Sequence, residues 1–423
     1  MRKSTAVLAL LLSGIAAPAL AQTTVIHAGS VITDADSAPR GPATITVTDG
    51  RIVSIADGFT AAPAGAETVE LRDSTVLPGL IDLHVHLTGD PGGDFWKETV
   101  EPDEWGVVVG AKNAEKTLRA GFTTVREAGS SQHGAFSLRR GTEEGLITGP
   151  RIIAAGPSLA IVGGHGDVTG FRPEINAILS SGYTCTGAVE CAEKVRRASQ
   201  NGADTIKITA TGGVLSQQGR GLEAHFSDPE MKSIADTAHS LGLKVMAHAH
   251  GARGIEAAAR AGIDTIEHGT YLDRAAAEAM VANGTVLIPT LMAFQGISER
   301  LGKGIYTPVV EEKVRAVAET ARVFMGRARE WGVPIAFGTD AGVFDHGRNA
   351  GEFALMVGQG MSDREALASA TTVAARVLDM ENEIGRIAPG YSADIIAVSG
   401  NPLENVRVLE NVDWVMVRGR VAD

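Results

Sequence analysis

Cysteine, aromatic residues and clustered basic side chains are all scarce in this sequence of 423 residues. Its two cysteines are too few for a thiolate-ligated metal site. No block of lysine and arginine occurs beyond the first residues, and the net charge is −12. Both observations argue against nucleic acid or an anionic membrane as the partner. Beyond the N-terminus no stretch is apolar enough to cross a bilayer, so we predict a soluble, globular body of more than one domain.

The first 21 residues are typical of a secretory signal peptide. They begin with positive charge, continue with an apolar run over residues 6–17 and end in a small-x-small site at Ala21. Because the run is too short for a membrane anchor, we predict cleavage after Ala21 and a periplasmic or secreted protein. In such a protein the close pair Cys185 and Cys191 predicts a local disulfide.

Strand-like segments at both ends of the chain predict one small β-sandwich domain, built from residues 22–78 and 385–423. Residues 43–55 alternate in polarity around an Asp-Gly turn, which is the pattern of a hairpin. The C-terminal part contains two similar candidate strands, at residues 394–398 and 414–417.

Between these segments, residues 79–384 alternate short apolar runs with helical stretches whose apolar residues are spaced by three and four. Eight strand–helix units are the pattern of a (β/α)8 TIM-type barrel, an α/β fold whose parallel strands are continuously apolar. A doubly wound sheet would require a glycine-rich fingerprint after the first run, and residues 80–90 contain none. The eight predicted strands are residues 80–87, 122–126, 151–155, 205–209, 244–248, 265–268, 286–290 and 335–338.

Six polar residues occur at or just after the ends of predicted strands: His84, His86, Lys207, His248, His268 and Asp340. Because the catalytic groups of a barrel lie at the C-terminal ends of its strands, we expect all six to point into one mouth. The histidines of the His-x-His pair face the same side of a strand and can bind one metal ion together. Two hydrogen-bonded core histidines would have the same spacing, so the predicted metal site depends on the convergence of all six residues.

Lys207 stands in a run that is otherwise typical of a buried strand, where an ammonium group is costly. A protonated lysine cannot ligate a metal ion, because it offers only hydrogen-bond donors. Carboxylation by carbon dioxide would convert the amine into a carbamate, whose two oxygens could bridge two metal ions. Alternatively, the lysine pairs with a carboxylate such as Asp340 or Glu127, and sequence spacing leaves both interpretations open.

These motifs resemble those of the amidohydrolase superfamily, and the resemblance covers nearly the whole chain after the signal. Within the superfamily the sequence is similar to the imidazolonepropionase-like and Xaa-Pro dipeptidase-like group, which includes ochratoxin-hydrolysing amidohydrolases. Glu127 departs from the pattern, since an aspartate usually stands there. Besides Lys207 and His248, the matching segments are Leu77–Asp82 with His84–His86, Gly121–Val125, Ile266–Gly269, Gly338–Gly342 and Gly390–Asp394.

The resemblance implies a centre of two divalent metal ions, usually zinc. It implies that the buried ion is bound by His84, His86 and Asp340, the outer ion by His248 and His268, and both ions by carboxylated Lys207. A water molecule shared by the ions would be the nucleophile, while the outer ion polarises the scissile carbonyl group. Asp340 would be the catalytic residue that takes the proton of this water and passes it to the leaving nitrogen.

Three further histidines are candidates for substrate contact. His165 lies in a glycine-rich loop after the third predicted strand, where it could stabilise an oxyanion as a catalytic residue or bind a carboxylate. His250 follows His248 by two positions, and the resemblance implies that it helps to bind the free carboxylate of the substrate. For both, a hydrogen bond that supports a metal ligand is the alternative. The third candidate, His346, follows the eighth predicted strand.

We therefore expect an exported amidohydrolase that cleaves the amide bond between an acyl or aminoacyl group and an amino acid with a free carboxylate. Dipeptides and ochratoxin A contain such a bond. The same metal centre could instead hydrolyse lactones or phosphotriesters, and the motifs do not decide between these bonds. A non-catalytic binding barrel is disfavoured, because all six ligand positions are filled. The resemblance also implies a homo-oligomer.

Overall fold

The computed structural model describes residues 22–92, 95–131, 133–217 and 221–422. The predicted signal peptide, residues 1–21, lies outside these described residues. In the ranges that are described, no helix combines the length and the apolar character required to cross a bilayer.

The strands of the described chain form one mixed sheet of seven strands and two parallel sheets of three and four strands. The mixed sheet contains β1 (Thr23–Val31), β2 (Ala43–Thr48), β3 (Arg51–Asp57), β4 (Glu67–Pro78), β12 (Ile395–Val398), β13 (Val412–Val417) and β14 (Arg420–Val421). The parallel strands are β5 (Leu80–Val85), β6 (Phe122–Glu127), β7 (Arg151–Ala154), β8 (Thr205–Thr209), β9 (Lys244–Ala249), β10 (Thr265–His268) and β11 (Val286–Ile288).

Helices follow the parallel strands in sequence, and local signals mark where several of them begin. At the start of α5, for example, Ser227 and Glu230 form a capping box, which satisfies backbone amides that the helix itself cannot bond. The α-helices are α1 (Asp103–Arg119), α2 (Gly134–Glu143), α3 (Pro173–Leu179), α4 (Ala188–Gln200), α5 (Asp228–Ser240), α6 (Ala252–Ala261), α7 (Arg274–Asn283), α8 (Leu291–Arg300), α9 (Pro308–Ala318), α10 (Phe324–Glu330), α11 (Gly351–Gly358), α12 (Asp363–Ser369) and α13 (Thr372–Val377). Short 3-10 helices cover Phe95–Thr99, Thr320–Arg322 and Val406–Glu410.

The mixed sheet has the strand order β14-β13-β12-β4-β1-β2-β3, so its strands come from both ends of the chain, as predicted. Inward-facing side chains such as Ile26, Ile45 and Met416 pack into a core of their own. The Ile52 amide of β3 donates to the carbonyl of Tyr391, just before β12, at 2.9 Å. The strands from the two ends of the chain therefore form one mixed sheet, in which β3 also bonds to the segment before β12.

The parallel strands are buried along their whole length in β5, β6 and β8, which is the pattern of strands covered on both faces. The three-stranded sheet has the order β5-β6-β7 and the four-stranded sheet the order β11-β10-β9-β8. The two sheets meet at Leu159, whose amide donates to Lys207 of β8 at 2.8 Å and whose carbonyl accepts from Thr209 at 3.0 Å. Their carboxyl ends therefore face the same side.

The eighth predicted strand, residues 335–338, is not a regular strand in the described structure. Ala336 donates to β11 at 3.0 Å, and Phe337 accepts from β5 at 3.1 Å. The next amide, of Thr339, donates to the Asp82 carboxylate at 3.1 Å and so interrupts the ladder. Where eight regular strands were predicted, the described chain has two parallel sheets linked by isolated bonds.

Cys185 and Cys191 are joined by a disulfide, which is the pairing that the sequence predicts. The bond ties the segment before α4 to the first turn of that helix. The Cys185 amide also donates to the carbonyl of Ala160 at 2.9 Å, so the disulfide anchors a segment that lies next to the glycine-rich loop of His165.

Candidate metal centre

Both histidines of the His-x-His pair lie close to one carboxylate oxygen of the distant Asp340. His84 is part of β5, and His86 follows its last residue. Asp340 Oδ1 lies 3.5 Å from His84 Nε2 and 3.3 Å from His86 Nε2. Burial raises the pKa of Asp340, but the two neighbouring imidazoles outweigh it, and the net shift is downward. The carboxylate is therefore held in its ionised form beside two nitrogen donors.

The histidines that end β9 and β10 complete the arrangement. His248, His250 and His268 offer ligand atoms that all lie within 4.8 Å of one another. A second group of ligand atoms with the same spacing consists of His84, His268 and Asp340. Because His268 belongs to both groups, the two groups adjoin. We call the six predicted ligands the ligand cluster: His84, His86, Lys207, His248, His268 and Asp340.

Lys207 of β8 projects into the same place. Its Nζ lies 3.4 Å from His84 Nε2, and its side chain is buried. Burial lowers the pKa of this amine. The charges of the nearby Glu267, Asp340 and Glu127 carboxylates act in the opposite direction, so an ion-paired lysine and a carbamate both stay open as interpretations.

A carboxylate and an arginine stand directly behind His84. His84 Nδ1 donates to Glu267 Oε2 at 2.6 Å, and Arg126 Nη2 donates to Glu267 Oε1 at 2.9 Å. Burial alone would raise the pKa of Glu267, but Arg126 and His84 lower it to about 2. An ionised carboxylate on Nδ1 leaves the lone pair of Nε2 facing the ligand cluster.

The other imidazoles of the cluster are oriented in the same manner by neutral groups. His86 Nδ1 donates to the carbonyl of Gly129 at 2.8 Å. His248 Nε2 donates to the carbonyl of Gly212 at 3.2 Å, and His268 Nδ1 is hydrogen-bonded to Thr290 Oγ1 at 2.7 Å. One nitrogen of each ring is thereby occupied, and the second is left for a ligand role.

The backbone of the cluster is strained. His268 (φ 73°), Asp340 (φ 63°) and the supporting Thr290 (φ 49°) all adopt the left-handed region. Such conformations cost roughly 1–3 kcal/mol each and persist where surrounding bonds impose them. Behind Asp340, the buried Asp82 carboxylate accepts from the Thr339 hydroxyl at 2.6 Å and from Asn349 at 2.8 Å. These bonds hold the turn that presents Asp340.

The charge state of the cluster suits a cation. Burial lowers the pKa of His84 to about 4 and holds the pKa values of His248 and His268 well below 6.5, so these imidazoles are neutral and can act as ligands. Glu127 Oε1 is buried and has no hydrogen-bond partner among the described residues, and burial raises the pKa of this carboxyl to about 7. Neutral nitrogen donors, carboxylates and an unpartnered buried oxygen in one place fit divalent metal ions.

Two of the three predicted substrate contacts line the cavity above the cluster. The cavity measures about 270 Å³, and both His165 and His250 face it. His165 Nδ1 is hydrogen-bonded to Ser216 Oγ at 2.5 Å, and its ring centroid lies 4.2 Å from that of His248. His250 Nδ1 is hydrogen-bonded to Thr270 at 2.7 Å.

The third predicted contact, His346, faces two backbone carbonyls and a threonine, and its role in substrate binding stays a prediction. Its Nε2 lies 3.2 Å from the carbonyl of His86 and 3.3 Å from that of Gly89, while Nδ1 faces Thr117 at 3.3 Å. The ring does not line the cavity among the described residues. Its hydrogen-bonding capacity is used to hold the backbone next to His86.

Part of the cavity wall is apolar, and the sequence analysis did not predict it. It consists of side chains from a loop after β8, from α8 and from the segment after Asp340: Val214, Leu215, Ala293, Phe294, Ile297 and Val343. These residues have no distinctive spacing, because they come from three separate segments. Their position after the carboxyl ends of strands is the one signal that could have indicated them.

The sequence and the fold were compared with those of known proteins. The sequence model of the amidohydrolase family matches residues 75–422. Ochratoxinase from Aspergillus niger is 30% identical over 421 residues, covering 92% of this chain and 84% of the relative. The structure of a Xaa-Pro dipeptidase with methionine bound in its active site is 38% identical, with a TM-score of 0.87 and coverage of 95% of this chain and 99% of that one. A prolidase complexed with N-methylphosphonate-L-proline is 31% identical, with a TM-score of 0.85 and coverage of 95% and 99%.

The family match extends over most of the chain and includes every residue of the ligand cluster. The similarity to the dipeptidase also covers the parallel sheets and the terminal mixed sheet together. The resemblance predicted from the motifs is confirmed: the chain belongs to the amidohydrolase family and is a hydrolase that acts on amide bonds.

Proposed function

We propose that this enzyme hydrolyses the amide bond between an acyl or aminoacyl group and an amino acid whose carboxylate is free. The proposal rests on one observation: the ligand cluster and the apolar wall line the same cavity. The polar part of this cavity fits a scissile amide, and the apolar part fits an apolar side chain next to that amide.

The relatives support this substrate class. One is a dipeptidase with an amino acid in its active site, and another is a prolidase that binds a proline derivative. A third is an ochratoxinase. We therefore include dipeptides, N-acyl amino acids and ochratoxin A among the candidate substrates.

We infer that the ligand cluster binds two divalent metal ions, for which zinc suits the nitrogen and oxygen donors. His84, His86 and Asp340 would bind one ion, His248 and His268 the other, and a carbamate on Lys207 would bridge them. Lys207 is buried, and its Nζ lies 3.4 Å from His84 Nε2. This position supports the carbamate, because a buried ammonium group is costly. When bound, the ions would supply Lewis acidity and lower the pKa of water.

The chain's own residues would carry the proton and position the substrate. We infer that Asp340, ionised and in contact with His84 and His86, accepts the proton of the attacking water and later delivers it to the leaving nitrogen. His165 lines the same cavity as Asp340 and would stabilise the developing oxyanion. His250, hydrogen-bonded to Thr270, would donate from its other nitrogen to the substrate carboxylate.

We extend the proposal to architecture and location. The two parallel sheets and the segment that joins β11 to β5 would form a (β/α)8 barrel of residues 79–384. Residues 22–78 and 385–423 would form the second domain, after removal of residues 1–21 during export to the periplasm or medium. We also propose a homo-oligomer, which size-exclusion chromatography with light scattering would test.

A substrate panel tests the function. Purified zinc-loaded enzyme is offered N-acyl amino acids, dipeptides and ochratoxin A, each beside the same compound with its carboxylate amidated. We expect amino-acid release from the free acids and release from the amidated compounds slower by about tenfold or more, since a lost hydrogen bond to a charged group costs roughly 1.5–3 kcal/mol. A lactone and a phosphotriester complete the panel. Turnover of these two compounds without any amide hydrolysis would overturn the proposal.

A further inference from the structure

A buried lysine outside the ligand cluster contacts the loop that lines the cavity. The loop, residues 211–217, joins β8 to the segment before α5. Lysine side chains are almost never fully buried unless they are paired. Lys313 of α9 is 9% exposed, and its Nζ donates to the carbonyl of Gly213 at 2.8 Å and to that of Ser216 at 2.6 Å. The side chain thus bridges two points of this loop.

The 211–217 loop contacts several of the residues that line the cavity. Its Gly212 carbonyl orients His248, and its Ser216 hydroxyl bonds His165. At Gly213 the backbone passes so close to His165 that an added Cβ would lie 2.3 Å from the ring, which only glycine permits. The side chains of Val214 and Leu215 form part of the apolar wall. A shift of this loop would move a metal ligand, a catalytic candidate and the wall together.

Helix α9 holds the loop at two places. Besides Lys313, Thr307 immediately before the helix donates its hydroxyl to the Gln217 side-chain oxygen at 2.9 Å. The two bonds of Lys313 to backbone carbonyls require an amine donor, and a methionine or leucine could not make them.

We propose that Lys313 is a positioning residue that fixes the 211–217 loop and, through Ser216, the ring of His165 over the cavity. The effect on catalysis rests on the proposed function, whereas the effect on the loop does not. Lys313 touches no reacting atom in this scheme. Its removal should loosen the loop and lower turnover even at saturating zinc, where a weaker hold on His248 does not empty the metal site.

Hydrogen–deuterium exchange on the zinc-loaded enzyme tests the proposal directly. In Lys313→Met we expect exchange of the 211–217 amides to accelerate by about tenfold or more, with little change in β9 and β10. Lys313→Arg, which keeps the donors, should restore slow exchange in part. Lys303→Met removes an exposed lysine near α9 and is the control, so its loop amides should exchange at the wild-type rate. Unchanged exchange of the loop in a folded Lys313→Met protein would overturn the proposal.

A double-mutant cycle separates positioning from general stability. With amino-acid release as the readout, Lys313→Met should lower kcat/KM by about 10–100-fold in the wild type, the usual range for residues that orient functional groups. In a Ser216→Ala background the same change should cost much less, since the path to His165 is already broken. Equal losses in both backgrounds would contradict the route through Ser216.

The two proposals fail in different ways. If the wild type releases no amino acid from any substrate, the proposed function is wrong. The exchange experiment still decides whether Lys313 fixes the loop. If Lys313→Met does not fold, Lys313→Gln takes its place, because its neutral amide is too short to reach both carbonyls. It must show the same accelerated exchange, and normal exchange in that variant would overturn the proposal.

Discussion

Nδ1 of His84 lies 2.6 Å from Oε2 of Glu267, a residue 183 positions further along the chain. Arg126 donates to the other oxygen of the same carboxylate, and all three side chains are buried. Water therefore cannot substitute for either partner. The carboxylate selects the tautomer of His84 and fixes the direction of the nitrogen that faces the ligand cluster.

Replacing Glu267 should weaken metal binding without deleting a ligand. In Glu267→Gln the side chain keeps its shape but loses the charge that Arg126 and His84 require, and we expect the affinity for zinc to fall by about 10–100-fold. Competition with a fluorescent chelator measures this affinity. Glu278→Gln, an exposed glutamate of α7, is the matched control. Equal affinities in the Glu267→Gln variant and the wild type would show that the Glu267 carboxylate does not tune the metal affinity of the site.

Lys207→Ala should lose both metal occupancy and activity, because no other side chain can supply bridging oxygens at that place in β8. Elemental analysis of the purified proteins gives the number of metal ions per chain. The proposed centre requires about two ions in the wild type and substantially fewer in the variant. Wild-type stoichiometry well below two would contradict the binuclear centre whatever the variant does.

His165→Asn should separate catalysis from metal binding. His165 lines the cavity but is not part of the ligand cluster, so the variant should retain its metal content. If the ring stabilises the oxyanion, kcat should fall by about 10²–10³-fold, the loss seen when such a donor is removed. His133→Asn, an exposed histidine, is the control. A rise in KM at unchanged kcat would instead assign His165 to ground-state binding of the substrate.

The metal-free protein should become less stable as the pH falls below about 6.5. Burial lowers the pKa of His165, with His250 as a second cause, and of His250 itself, each to about 3. The unfolded chain takes up protons on these imidazoles near pH 6.5, whereas the folded chain does not until about pH 3. Each histidine therefore lowers the unfolding free energy by up to about 1.4 kcal/mol per pH unit across this window.

Urea unfolding of chelator-treated protein between pH 7 and pH 4.5 measures that slope. The variants His165→Asn and His250→Asn should each flatten it, and His133→Asn should leave it as it is in the wild type. A slope that stays the same after both cavity histidines are replaced would assign the acid sensitivity to other groups.

Much of the ligand cluster could be predicted from the chain alone, because its signals are local. The two-residue period of a strand puts His84 and His86 on one side. Lys207 stands out because burying its ammonium group in an apolar strand costs free energy. The order of apolar runs and helical stretches likewise predicts parallel strands, whose carboxyl ends share one side. For the same reason the convergence of His248 and His268 with Asp340 could be expected.

Only the tertiary structure decided how these residues are used. It turned His346 towards backbone carbonyls, interrupted the eighth predicted strand through Asp82 and brought an apolar wall to the cavity. It also determined which nitrogen of each imidazole is left for a ligand role, through partners such as Glu267 and Gly212. Backbone periodicity is a property of neighbouring residues and can be seen in a sequence. Tautomer, ring direction and cavity shape depend on side chains that packing brings together from distant segments, and no local pattern records them.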